Sequence, residues 1–298
     1  MRALFITTAT SEPRECVKAW KSTGGTATQV TFDINGPRND DEIIGYAKDY
    51  CPDVIFYTGG VSGDGLPSDE TLKEIKSYAP SVIIQGDMAD PPFFPVLERY
   101  RNKDCFDRYV AIDGVHGSPA DHVTLTPINL EHFDQPQRSR TIRCGFAGNI
   151  VNRDRYEIIK KMHGTEDPRA KVIHGLGDLV RLRERETEGL YVNFVAFLRR
   201  CQMIINTSWA GSGLVHHMKG RVLEAAFAGC ALLEMKGSPI ADWFPPESYF
   251  MYDGINEAKE IIRHTSDSEI ERRAKLLEIY AREHYRPEHI FSGIVAKL

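Results

Sequence analysis

Short apolar stretches rich in β-branched and aromatic residues alternate with stretches of helical spacing from the first residues onward. Residues 3–8, 28–32, 54–57, 81–85 and 108–112 predict strands. Residues 13–22, 40–50, 68–78 and 95–101 predict the helices between them. The helix at 40–50 opens on three acidic residues, and Ser68 is an N-cap for the one that follows. Residues 130–143 are polar, carry Pro136 and several charges, and predict a linker. The alternation then restarts. Strands are expected at 142–147, 170–174, 203–206, 231–234 and 249–252. Helices are expected at 155–163, 193–200, 217–228, 257–264, 268–284 and, after a break near Pro287, 288–297. Apolar strands separated by helices imply parallel sheets covered on both faces, an α/β fold. Two such units in succession would leave a cleft, and ligands of open α/β sheets bind beyond the carboxyl ends of the strands.

Composition narrows the class without naming a function. The chain has 298 residues, 42% of them hydrophobic, enough for one large domain or two ordinary ones. A net charge of −5 gives no global basic bias, so no nucleic-acid partner is expected. The apolar run at 3–6 is too short for a signal peptide or a membrane span, and no later run reaches spanning length. Peripheral membrane contact stays open. The six cysteines are scattered without ligand-like spacing, which predicts reduced thiols and a cytoplasmic protein. No short repeat or low-complexity tract interrupts the chain.

The densest chemistry lies in His217-Met218-Lys219-Gly220-Arg221-Val222-Leu223-Glu224-Ala225-Ala226-Phe227-Ala228-Gly229. This predicts a helix with a glycine stop and a buried strand after it. Lys219 and Arg221 stand where the helix begins, and Glu224 stands one turn further in. Free N–H groups and a partial positive charge suit a helix start to a diphosphate. A carboxylate one turn on suits a ribose hydroxyl. The same spacing also describes an Arg–Glu pair on a solvated helix face.

These residues carry a resemblance. Together with Phe197-Leu198-Arg199-Arg200-Cys201-Gln202-Met203-Ile204-Ile205-Asn206, Trp243-Phe244, Tyr252-Asp253 and Gly145-Phe146-Ala147-Gly148-Asn149, they resemble the C-terminal domain of group 1 glycosyltransferases. The nearest branch is the CgeB-like, or spore-maturation-protein-like, one. The resemblance covers roughly the second half of the chain. It implies a GT-B fold, with two Rossmann-like domains facing across a cleft. Residues 1–135 would take an acceptor and 136–280 a nucleotide-sugar donor. Residues 281–298 would form a C-terminal helix that crosses back to the first domain.

By the same resemblance Glu224 would bond the ribose, and Lys219, Gly220 and Arg221 would flank the diphosphate. Gly148, Asn149 and Arg153 would form the phosphate-side loop, and His174 and Gly175 would lie near the base. No metal and no separate cofactor are implied, the nucleotide sugar being a substrate. In one respect the chain departs from the group. Where many members carry a second glutamate, eight positions before the helix glutamate, this chain has His216. That histidine would bond the sugar or a phosphate, or face solvent.

In the first half, Asp87 and Asp90 follow a strand end and are candidates for a general base on an acceptor hydroxyl. An Asx turn before Pro91 accounts for them equally well. His116, after the strand at 108–112, is a further candidate base. The glycine-rich stretch 59–65 lacks P-loop spacing and predicts a loop. The function expected is metal-independent sugar transfer from a nucleotide sugar to a glycan or other hydroxyl acceptor. The alternatives are a nucleotide-sugar epimerase or isomerase of the same shape, and a non-catalytic binding relative.

Overall fold

The computed structural model describes residues 1–8, 11–58, 60, 62–135, 139–146, 187–296 and 298; of 11–14 and 187–190 it describes the backbone alone. The chain divides into two compact units. Unit 1 holds Met1–Asn129, Ser212–His217 and Arg286–Leu298, and unit 2 holds Leu130–Gly211 and Met218–Tyr285.

Unit 1 is a parallel sheet of β1 (Arg2–Thr8), β2 (Thr26–Phe32), β3 (Val54–Thr58), β4 (Ser81–Gln85), β5 (Arg108–Ala111) and β6 (His122–Val123), in the order β2-β1-β3-β4-β5-β6. Strands β3 and β5 are buried along their whole length, as expected of parallel strands covered on both faces. The helices are α1 (Ser11–Ser22), α2 (Asp40–Tyr50), α3 (Asp69–Lys76) and α4 (Phe94–Asn102). Ser68 caps α3, its Oγ accepting from the Thr71 N–H. Strand β6 has no counterpart in the sequence pattern, because two residues cannot display a period. The glycine-rich loop after β3 folds against the turn after β2. A Cβ on Gly65 would stand 1.8 Å from the Asp33 carbonyl oxygen, so close backbone approach accounts for that glycine.

The last helix of unit 1 comes from the far end of the chain. The α9 helix (Pro287–Val295) buries Phe291 edge-on against Trp20 of α1, with ring centroids 5.1 Å apart. Buried Arg108 donates to the Gly293 and Ile294 carbonyls, placing a cation at the helix C-terminus.

Unit 2 is a parallel sheet ordered β10-β9-β8-β7, from β7 (Ile142–Gly145), β8 (Cys201–Ile205), β9 (Ala231–Met235) and β10 (Tyr249–Tyr252). Its described helices are α5 (Thr187–Leu198), α6 (Gly220–Phe227), α7 (Ile255–His264) and α8 (Asp267–His284). Helix α6 ends as its glycine predicts. Gly229 takes φ 66°, its N–H bonds the Ala226 carbonyl, and the Cys230 N–H reaches back to Ala225.

The polar stretch expected to be a linker is tied into unit 2 instead. Leu130 and Phe133 are buried, and Arg140 donates to the Ala228 carbonyl at the end of α6. Arg143 lies within β7 and donates to Ile262, Thr265 and Asp267 at the junction of α7 and α8. Arg140 and Arg143 serve helix ends, a role that a polarity pattern cannot separate from solvation. All six cysteines are free thiols, five of them buried. Among the described residues no helix is long and apolar enough to cross a membrane.

Candidate functional site

In unit 2 the chemistry gathers where β8 and β9 meet α6. The helix begins at Gly220 with Lys219 as its N-cap, three residues later than the pattern of 217–228 suggests. The chain explains the delay. His217 belongs to unit 1 while Met218 is buried within unit 2, and Lys219 is extended at φ −83°, ψ 145°.

Arg221 stands in the first turn of α6. Its guanidinium lies 4.6 Å from the centroid of the Phe146 ring, and its Nη1 donates to Asn206 Oδ1 at 2.8 Å. Asn206 follows β8 and is fully buried. Its N–H bonds the Leu233 carbonyl, and its own carbonyl accepts from the Tyr252 hydroxyl at 2.7 Å. Its amide nitrogen donates to Glu234 Oε2 at 2.8 Å. Glu234, the penultimate residue of β9, has no exposed surface. Burial pushes its carboxyl up to about 7, against hydrogen bonds from Asn206, Ser238 and the Met235 amide and the charge of Arg221.

Glu224 sits one turn into α6, half-buried, and accepts from the Tyr191 hydroxyl at 3.1 Å. Tyr191 comes from α5, so a second helix sets the direction of this carboxylate. Arg221 and Glu224 thus each have a partner from a different element, which a solvated surface pair would not need.

In unit 1 three acidic residues stand beyond the ends of β4 and β5. Asp87 takes φ 57°, a left-handed conformation that aspartate tolerates better than most residues. Its Oδ1 lies 2.8 Å from His217 Nδ1; the Asp87 side chain is 34% exposed and that of His217 6%. Asp113 is buried and accepts from the Ala89 N–H at 2.9 Å and the Val115 N–H at 3.2 Å. Burial raises its pKa above the usual carboxylate range. Asp90 is also buried, and accepts from both the N–H and the hydroxyl of Ser212. Asp90 therefore anchors the segment Ser212–His217, a structural task that the reading of it as a base did not foresee. His116 is exposed in the loop after β5.

His216 is half-buried within the Ser212–His217 segment. Burial lowers its pKa below the ordinary histidine value, so the imidazole is neutral at pH 7. It offers a hydrogen bond there, not a charge. Gly148, Asn149, Arg153, His174 and Gly175 lie outside the described residues. Among the described residues no group of three or more His, Cys, Asp or Glu is placed to hold a metal ion.

Four residues of these clusters carried no assignment from sequence. His217 was read as a helical residue, Glu234 as the end of an apolar strand and Asn206 as the end of another, while Tyr191 lay outside the helix expected at 193–200. One signal was available, a glutamate inside an otherwise apolar strand, since a buried acid requires partners.

No family model matches the sequence, and no curated protein does. Solved structures do match, with the GT-B fold. Anabaena HepE in complex with UDP and glucose aligns at a TM-score of 0.64 and 11% identity, over 100% of both chains. An alpha-glucosyltransferase in complex with UDP and a 13-mer DNA containing an A:G mismatch aligns at 0.66 and 11%, over 100% of this chain and 99% of that one. Sucrose-phosphate synthase from Thermosynechococcus elongatus aligns at 0.62 and 10%, over 100% and 98%. At such identities the likeness is one of fold: two α/β units with parallel sheets, the class that the strand and helix pattern predicts.

Proposed function

We propose that this protein is a glycosyltransferase that takes a sugar from a nucleotide-sugar donor and passes it to a hydroxyl acceptor. The observation that carries the reading is Arg221, held in the first turn of α6 by Asn206 and the Phe146 ring, with Glu224 oriented by Tyr191 one turn on. A cation beside a helix start suits a diphosphate, and a half-buried carboxylate suits a ribose diol. The fold shared with proteins solved in complex with UDP supports the same reading, as does the resemblance of this stretch to the CgeB-like branch.

In the reaction an acceptor hydroxyl attacks the anomeric carbon and the bond to the nucleotide diphosphate breaks. Negative charge grows on the leaving oxygen. Lys219, Arg221 and the α6 N-terminus are assigned to offset it, work that needs no metal ion. We assign unit 2 to the donor and unit 1 to the acceptor. Asp87 is the base, its carboxylate oriented by His217. A glycan or small-molecule hydroxyl is the acceptor class, since a net charge of −5 disfavours a nucleic acid. Free thiols agree with the cytoplasm.

The test is calorimetric titration with UDP, ADP, GDP and CDP and their glucose conjugates, on the wild type and Glu224→Ala. The expected result is binding of one nucleotide family, weakened at least about tenfold in a folded Glu224→Ala, equivalent to about 1.4 kcal/mol. Unchanged affinity in that variant would remove the ribose assignment. Turnover of the bound donor without acceptor would favour an epimerase. Turnover should survive EDTA.

A further inference from the structure

Among the described residues Glu234 is the one acid of unit 2 that lies wholly inside the sheet, and the role of Arg221 does not by itself call for it. Its position relative to Arg221 supplies a reason. Asn206 stands between them, with Nδ2 on Glu234 at 2.8 Å and Oδ1 on Arg221 at 2.8 Å. The Asn206 backbone is fixed on both sides, by Leu233 and by the Tyr252 hydroxyl, so only its side-chain amide can choose an orientation. A primary amide has two nearly isosteric faces, one donating and one accepting. Only the accepting face can receive a guanidinium, and the other would set N–H against N–H. A carboxylate behind the amide decides between them.

We propose that Glu234 is a positioning residue for the diphosphate site: by accepting from Asn206 it turns the amide oxygen toward Arg221 and so aims the guanidinium. The Phe146 ring lies 4.6 Å from the guanidinium carbon and offers it no hydrogen bond, whereas Asn206 does. Glu234 touches no ligand in this arrangement and acts through two other side chains. The charged and titratable groups that face it are Arg221 from α6 and Tyr249 and Tyr252 from β10. Arg221 is the only cation among these described groups, so the favourable charge interaction runs along the same line as the hydrogen bonds. The inference rests on the reading of Arg221 as a diphosphate ligand.

The test is a double-mutant cycle read by calorimetry, using whichever of UDP, ADP, GDP or CDP the wild type binds. Glu234→Leu removes the acceptor at similar volume and is expected to weaken binding about tenfold or more, since a hydrogen bond to a charged group is misdirected. Glu234→Gln, which can still present an oxygen to Asn206, is expected to stay within about threefold. In an Arg221→Met background Glu234→Leu is expected to have no further effect, because its influence passes through that arginine. A purely structural role would give the same loss in both backgrounds, and that result would overturn the proposal, as would full affinity in Glu234→Leu. If Glu234→Leu does not fold, Asn206→Ala breaks the same link with Glu234 in place and carries the same expectations. A wild type that binds none of the four nucleotides would instead remove the reading of the site, and this role with it.

Discussion

Asp113 of unit 1 and Glu234 of unit 2 are both buried beside strand ends, and burial raises the pKa of both. They differ in what they hold. Asp113 accepts from two backbone N–H groups, of Ala89 and Val115, which cannot turn away. Glu234, besides bonds from Ser238 and the Met235 amide, accepts from a side-chain amide, which can turn, and whose other end holds an arginine. A carboxylate saturated by backbone donors pins a loop. One that passes its preference through a rotatable amide can instead aim a functional cation. The geometry of the partner, more than the burial of the acid, separates the two roles.

Isosteric substitution should expose that difference. The largest effect is expected for Glu234→Gln, and it should stabilise. Folded Glu234 keeps its proton up to about pH 7, while the unfolded chain releases it near its ordinary value of 4.5. Between those values the unfolded state binds fewer protons, so wild-type stability falls as pH rises through the window. The displacement corresponds to up to ~3 kcal/mol above pH 7. Urea denaturation at pH 8 should therefore find Glu234→Gln more stable than wild type, with the gap closing toward pH 4.5. A gap that does not change with pH would show that Glu234 is not the group responsible.

Asp113→Asn should do the opposite. Whichever way the new amide turns, its NH2 group meets a backbone N–H, and a loss of about 2 kcal/mol is expected at neutral pH. A stability equal to wild type in the same denaturation series would mean that the loop relaxes, and the contrast with Glu234 would fail.

Ser212→Ala should give the smallest change. It removes the hydroxyl donor to Asp90 and leaves the Ser212 N–H bond in place, a cost of about 1 kcal/mol. Hydrogen exchange should then report faster opening of residues 212–217 alone. Exchange that rises across the whole of unit 1 would contradict the local role.

The partners of these acids were hidden in the sequence. Asp90 and Asp87 were visible as carboxylates after a strand, and nothing in Gln85-Gly86-Asp87-Met88-Ala89-Asp90 says that one would anchor Ser212 and the other meet His217. Those partners lie more than a hundred positions away. Helix α6 was legible in its apolar face and its glycine stop, and its start was misplaced because His217 is drawn into the other unit. Glu224 and Arg221 were visible by spacing; Tyr191 and Asn206, which orient them, were not.

The sequence by itself determined the alternation of strand and helix, the parallel sheets, the N-cap at Ser68 and the glycine end of α6. The alternation, the cap and the glycine end follow from interactions between near neighbours, where period and side-chain type suffice; the parallel pairing follows because each strand is separated from the next by a helix. Only the tertiary structure decided that the described residues of 130–143 are tied into unit 2 by arginines at helix ends, and that Glu234 meets Arg221 through Asn206. Hydrogen bonds and charges choose partners by distance in space, and the chain reveals that distance only once the sheets have formed.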